Sequence, residues 1–457
     1  MDFLKKILTR LFAFIVLLIL INFVYTQTFW KTDIHKHADL LDSIAKYQDN
    51  TDVLFLSSSS NYFHAIDDHS NKRVSDYLSE YYPNLRINAI NKGYMHSGIF
   101  YSVLQNIPKD SPIKTIIVAI NIRSFGPYWL YSDVETAYSA QQLMMNNIYP
   151  PIIRRFLLAL DYYDNKTKEE RIKQYKEAWE TDTLIFPYPF PYKTVSEWDY
   201  AVAHSGKYKN KNGSLNIDEL GFACNLVKFY GYNIDSNHIR IKDLDKIIKL
   251  AKERNWKLLF HILPTNLNSA FNLVGQDIPY LLNESANKIK DRYSKSCIFF
   301  NNIDLLDESF FYENYPTEHY LPGGKRILAK TLAKELGFIY PKEYKPQKWT
   351  YNKANISPKK IKSKIKEIKK NNDWIKAIKV KSKHSGRTEN SIYREDASWL
   401  LMQEFAKKEE TRVNQIISRI KANPEWNQKI IDKAIRNKYS YEKQIKEDAI
   451  WIVNSED

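Results

Sequence analysis

Five short apolar runs constrain this chain more than any other feature. Each ends at small or polar residues, and segments with helical spacing separate them. Val53-Leu-Phe-Leu56 follows Asp52 and runs into four serines, Ser57 to Ser60. Leu85 to Ile90 ends at Asn91-Lys92-Gly93, and Thr115 to Ile120 ends at Asn121. Trp256 to Leu263 ends at Pro264-Thr-Asn266, and Ser296 to Phe300 forms the last run. Val53 to Leu56 and Thr115 to Ile120, apolar on both faces, read as buried parallel strands rather than half-exposed antiparallel ones, and the other three runs read as strands beside them. Helical patterns lie between them at Lys72 to Tyr81, His96 to Ile107, Ile241 to Asn255 and Asp277 to Ser294. The expected fold is therefore α/β, with a three-layer α/β/α parallel sheet.

Residues 122–235 interrupt this rhythm. They are rich in Tyr and Pro and carry amphipathic helices around 153–180, which predicts a large insertion over a sheet edge or the mouth of a site. Within it, Phe186, Tyr188, Phe190 and Tyr192 offer faces on which sugar rings could stack, or alternatively core packing.

Open α/β sheets carry their chemistry at the carboxyl ends of the strands. Ser57 to Ser60, Gly93 and Asn121 fall at three such ends, and His319 stands just before the Gly323-Gly324 pair that opens a final helix. Acyl transfer through serine needs a hydroxyl on a tight strand-to-helix turn, an imidazole to take its proton, and donors for the oxyanion. Ser59 with His319 supplies the first two. The Ser59 and Gly93 backbone N–H groups and the Asn121 side chain supply the third. His64, His96 and His261 read as structural or peripheral. No HExxH, paired His/Cys or Asp cluster points to a metal, and no Walker or GxGxxG loop points to a nucleotide, so no cofactor is expected.

In these blocks the chain resembles the SGNH (GDSL-like) hydrolase superfamily, whose members carry Ser, Gly, Asn and His in four separated motifs. Leu56-Ser57-Ser58-Ser59 matches the first, with the nucleophile at Ser59. Asn91-Lys92-Gly93 matches the second, Val118-Ala-Ile-Asn121 the third, and His319 with Leu321-Pro-Gly-Gly-Lys325 the last. Ser57-Ser58 replaces the usual Gly-Asp. The superfamily's acid lies three residues before the His, where this chain has Pro316. Glu313 or a backbone carbonyl would take that role, or the chain lacks it; the adjacent Glu318 would need an unusual turn. The layout is most similar to the DltD- and AlgX/AlgJ-type proteins of cell-envelope polymer acylation. That resemblance implies acyl transfer to an envelope polysaccharide or other anionic polymer, with a membrane-bound O-acyltransferase as partner. The same fold without turnover, as a binding or scaffold protein, is the alternative.

The N-terminus fits an envelope setting. From Leu11 to Tyr25 the only polar side chain before the closing tyrosine is Asn22, and the 19 residues from Ile7 to Tyr25 match the thickness of a thin hydrocarbon core. Lys5, Lys6 and Arg10 flank the inner end, which predicts a single-pass anchor at residues 1–30, N-terminus inside and body outside. Nothing like Ala-x-Ala follows; a cleaved signal on a soluble esterase is the competing expectation.

Charge divides the remainder. The chain has 457 residues with 68 Lys+Arg and 53 Asp+Glu, but residues 345–457 alone hold 27 against 15, a net of +12. The basic balance thus belongs to an appendage and gives no argument for nucleic acid, which is not an expected partner outside a membrane. That appendage, residues 346–457, repeats at a shift of 52. Ile365, Ile368, Asn371, Trp374, Ile378, Asp396, Ala397 and Trp399 recur as Ile417, Ile420, Asn423, Trp426, Ile430, Asp448, Ala449 and Trp451. Each unit reads as two or three short amphipathic helices, with polar turns such as Lys383-His-Ser-Gly-Arg387 and lysines on the solvated face. Residues 31–345 then form the α/β domain. Its two cysteines, Cys224 and Cys297, leave their pairing open.

Overall fold

The computed structural model describes residues 2–64, 71–164, 166–182, 184–210, 212–312, 318–346, 358–385, 389–437 and 440–455. It divides into two compact units, Met1–Gln347 and Lys348–Asp457.

The first unit is built on five parallel strands, β1 (Val53–Ser57), β2 (Ile87–Asn91), β3 (Thr115–Ile120), β4 (Lys257–Ile262) and β5 (Ile298–Asn301), in the order β2-β1-β3-β4-β5. Strand side chains alternate between two cores, as the two-residue period of a strand requires. Leu54, Leu56, Ile116, Val118, Ile120, Phe260 and Ile262 face one core, and Val53, Phe55, Ile117 and Leu259 face the other. The first core is closed by helices that include Ser97–Gln105 and Ile239–Glu253, which pack together. Val74–Glu80 and Pro322–Leu336 pack together over the second. The fold is thus α/β, with helices on both faces of a parallel sheet.

The helices needed below are numbered in chain order. They are α1 (Asp2–Thr28), α2 (Ser59–Tyr62), α3 (Asp133–Met145), α4 (Pro151–Ala159), α5 (Ile217–Tyr230) and α6 (Pro322–Leu336). α1 is a single helix long and apolar enough to cross a membrane. Residues 31–50 form two helices, Trp30–His37 and Asp39–Tyr47; Leu40 and Ile44 of the latter enter the first core. The insertion opens with a 3-10 turn, Ile122–Phe125, and its described elements are otherwise helices, α3 to α5 among them. Its aromatic segment packs on itself. The Phe186 and Phe190 ring centroids lie 4.2 Å apart, Phe190 meets Trp198 edge-on, and the Tyr188 hydroxyl donates to Asp277. These ring faces are therefore largely used in packing. Cys224 and Cys297 are both free thiols, and burial raises the pKa of each.

In the second unit the 52-residue repeat becomes geometry. Helices α7 (Pro358–Ile368), α8 (Asn372–Ser385) and the first half of α9 (Glu389–Ala422) correspond to the second half of α9, α10 (Pro424–Asn437) and α11 (Tyr441–Ser455). Two small cores repeat in the same register, Ile368, Ile378 and Ala397 in one and Ile420, Ile430 and Ala449 in the other. Even the ion pairs repeat: Lys381 pairs with Asp396, and Lys433 with Asp448. α9 serves both repeats, so the expected short helices are joined there into one of 34 residues. Of the turn expected at Lys383–Arg387, residues 383–385 end α8, and Gly386 and Arg387 lie outside the described residues.

Candidate functional site

The strand order fixes where a ligand can enter. The chain leaves β1 toward β2 on one side and later returns to place β3 on the other, so a crevice opens between the carboxyl ends of β1 and β3. Ser57 is in register with Asn91, and Leu56 pairs with both Ile90 and Val118. The segments that leave the three strands, with Ser59, Gly93 and Asn121, therefore emerge at the same edge of the sheet.

Ser59 is the first residue of α2, a one-turn helix entered directly from β1 through the extended Ser58. The other three serines do not compete for its role. Ser57 and Ser58 each contact Ser60 through their hydroxyls at 3.3 Å, all three buried. Asn61 anchors the turn: its Nδ2 donates to Asn91 at 2.7 Å and to Ser75, while its Oδ1 accepts the Ser75 N–H. Ser59 is left facing outward, and its Oγ lies 2.9 Å from Nε2 of His319, a contact across 260 residues of sequence.

His319 is held on its flat side by Phe63, whose ring stacks on the imidazole at 3.9 Å and 9°. Burial drives its pKa down to about 3, helped by the Arg123 and Lys325 charges, so the ring is neutral at ordinary pH. A neutral ring with Nε2 toward serine is the form a general base requires. Its Nδ1 is buried and meets no acceptor among the described residues. Glu313, the sequence candidate for that acceptor, lies outside the described residues. Glu318 faces another way. Its Oε1 accepts from the Tyr230 hydroxyl of α5 at 2.5 Å and its Oε2 lies 3.2 Å from Arg123.

Asn121 closes β3. Its Oδ1 accepts the Arg123 N–H at 3.0 Å, which turns its amide so that Nδ2 is the remaining donating end. Gly93 has no left-handed φ; the left-handed residue here is its neighbour Tyr94. A Cβ at Gly93 would meet only the Tyr62 hydroxyl, at the ordinary distance of 3.5 Å, so packing does not account for the glycine. The Tyr138 hydroxyl of α3 donates to the Gly93 carbonyl and fixes that peptide. The Gly93 N–H acts on the Tyr62 phenol, whose pKa burial nonetheless raises.

The other histidines lie elsewhere. His64 is exposed, with its ring on the Tyr62 carbonyl. His96 is buried, accepts the Gly98 N–H and pairs with Glu135 at 3.1 Å; Glu135 also binds Arg240 at 2.6 Å. Burial works to raise Glu135, but the His96 contact and the Arg240 charge pull it down to about 2. His261 sits inside β4 stacked on Phe55. Among the described residues no group of three or more His, Cys, Asp or Glu side chains could hold a metal.

Sequence reasoning missed Phe63, Tyr62, Arg123 and Tyr230, and had Lys325 only as part of the last motif. Only Phe63 and Tyr62 carried a signal, being four and three residues beyond the candidate serine on a helical turn. Arg123 and Tyr230 come from the insertion, where spacing gives no guide.

No family model matches the chain, and no curated protein matches it. Among solved structures it is similar to one described as "a putative platelet activating factor from Streptococcus pneumonia", at 10% identity and a TM-score of 0.31. That likeness covers 68% of this chain and 99% of the other, and at such a score it carries no argument.

Proposed function

We propose that this protein is a membrane-anchored serine O-acyltransferase or esterase of the SGNH type, acting on a cell-envelope polysaccharide. The observation that carries this reading is the 2.9 Å contact between Ser59 Oγ and a neutral His319 Nε2 at the carboxyl edge of the sheet. His319 takes the hydroxyl proton as Oγ bonds to the acyl carbon. The Ser59 N–H and the Asn121 amide receive the oxyanion, and the Gly93 N–H joins them as it exchanges the Tyr62 phenol for the oxyanion. Collapse of that intermediate breaks the ester C–O bond, and the leaving alcohol takes the proton from Nε2. A polymer hydroxyl, or water, then attacks the acyl-serine with His319 again as base. α1 crosses the cytoplasmic membrane with Lys5, Lys6 and Arg10 inside, which leaves the body on the envelope side beside a membrane-bound O-acyltransferase that would deliver acyl groups.

A second reading, a scaffold without turnover, draws on the absence of an acceptor for His319 Nδ1 among the described residues. The full chain in detergent, given p-nitrophenyl acetate with and without an acetylatable envelope polysaccharide, separates the two. The transferase reading expects nitrophenol release that Ser59→Ala and His319→Ala lower on the order of 10³-fold or more. It also expects the polymer to speed release and to gain acetyl groups. Release without transfer would leave an esterase. Wild type matching both variants would leave the scaffold.

A further inference from the structure

α1 does not stand alone at its outer end. One of its faces, Leu18, Asn22, Tyr25 and Thr26, is partly or wholly covered while the rest of the helix is exposed. α4 packs against α1, and the Asn22 Oδ1 accepts the Ile152 backbone N–H at 3.1 Å. Further contacts, two of them from α4 to the Trp30–His37 helix that follows α1, hold the pair in place. Arg154 lies over the Trp30 ring at 4.6 Å and donates to the Met144 carbonyl. Asp33 accepts from the Tyr25 hydroxyl at 2.6 Å and pairs with Arg155 at 3.1 Å.

This attachment sets a depth. Asn22 is three residues inside the outer end of the apolar run at Tyr25, and Leu18 seven. At 1.5 Å per residue these are about 4–5 Å and about 10 Å below that boundary. The start of α4 is therefore level with the outermost hydrocarbon of any bilayer that α1 spans. Its composition suits that position. Arg154 and Leu158 form its buried face, whereas Ile152, Phe156 and Leu160 share the opposite face at a spacing of four. Phe156 and Leu160 are each 61% exposed and Ile148, just before the helix, 81%. Tyr149 and Tyr162 flank the patch, also exposed, as amphipathic rings do at a membrane interface. An apolar face of this kind lying in water would have nothing to offset its exposure.

We propose that α4 is a second membrane contact, an interfacial helix that buries Phe156, Leu160 and Ile148 in the outer leaflet of the bilayer spanned by α1. The occupant is lipid acyl chain, because the exposed apolar side chains belong to a helix that is hydrogen-bonded to α1 at Asn22, within the hydrocarbon depth. Such shallow insertion is the ordinary mode of amphipathic interfacial helices. The consequence is orientation. α1 alone gives the α/β body a single point of contact with the bilayer. Two contacts instead hold α4 and the adjoining α3, whose Tyr138 fixes the Gly93 peptide, at a set height above the membrane. This inference rests on the reading of α1 as a membrane span.

The test uses the full chain in phosphatidylcholine–phosphatidylglycerol vesicles, with Cys224 and Cys297 changed to Ser and single spin-labelled cysteines introduced. Phe156→Cys and Leu160→Cys probe the patch, Phe14→Cys the middle of α1, and Phe338→Cys an exposed site away from it. All four positions are exposed, so the substitutions leave the core intact. Collisions with molecular oxygen and with a water-soluble nickel chelate are compared. The expected result is an oxygen-to-nickel ratio at 156 and 160 shifted well above that at 338 and toward that at 14. Nickel accessibility at 156 and 160 equal to that at 338, with Phe14→Cys in lipid, would overturn this inference alone. Exclusion of both reagents at 156 and 160 would also overturn it and assign the patch to a protein neighbour. Nickel accessibility at Phe14→Cys would overturn the membrane span and this inference with it.

Discussion

His319 is a weak base placed where a stronger one is commonly used. An ordinary histidine titrates near 6.5, but burial, with Arg123 and Lys325 nearby, brings this one to about 3. A lowered pKa keeps the ring unprotonated as pH falls, so the fraction able to accept the serine proton stays near one until the solution approaches that value. Acylation of Ser59 by an activated ester, followed from pH 8 to pH 4, is accordingly expected to show no limb with a midpoint near 6.5. A stopped-flow profile that halves at that pH would mean that the ring is less buried, or its Nδ1 better paired, than the described contacts allow. Phe63 has a part in this, because its ring covers one face of the imidazole and excludes water from it.

At the scale of elements, the loop that carries His319 is tied to the insertion through Glu318. This carboxylate is buried between Tyr230 of α5 and Arg123 of the turn after β3. Arg123 is itself sandwiched near Trp129 and Phe229 and has little access to water. Removing one partner of such a pair leaves a buried charge unanswered. Glu318→Ala should therefore cost about 3–5 kcal/mol in urea unfolding of the first unit. A loss under about 1 kcal/mol would show that Arg123 reaches water by itself. This tie was not legible in the sequence, since Glu318 was weighed only as a partner of its neighbour. The strands were legible because continuous apolar runs with turn residues at their ends have few alternative structures. Element ends in the α/β body shifted by one or two residues, in helices where caps decide them. His96 became an N-cap, for example, and the helix begins at Ser97. The serine, glycine, asparagine and histidine were legible for a related reason, since a parallel sheet brings the ends of its strands to one edge.

Over the whole molecule, a basic two-repeat unit and a nearly charge-balanced α/β unit each have their own cores. The repeat could be read because packing demands the same residues at the same spacing. The sharing of α9 could not, because a polar stretch between two amphipathic segments reads equally well as a turn. The central claim, however, rests on one pair of atoms, Ser59 Oγ and His319 Nε2. The most direct measurement is intact-mass and peptide mapping of the full chain after exposure to a fluorophosphonate, beside Ser59→Ala and His319→Ala of verified fold. The account predicts a single adduct on the peptide bearing Ser59, absent from Ser59→Ala and formed far more slowly in His319→Ala. An unmodified wild type, or an adduct that persists in Ser59→Ala, would contradict it.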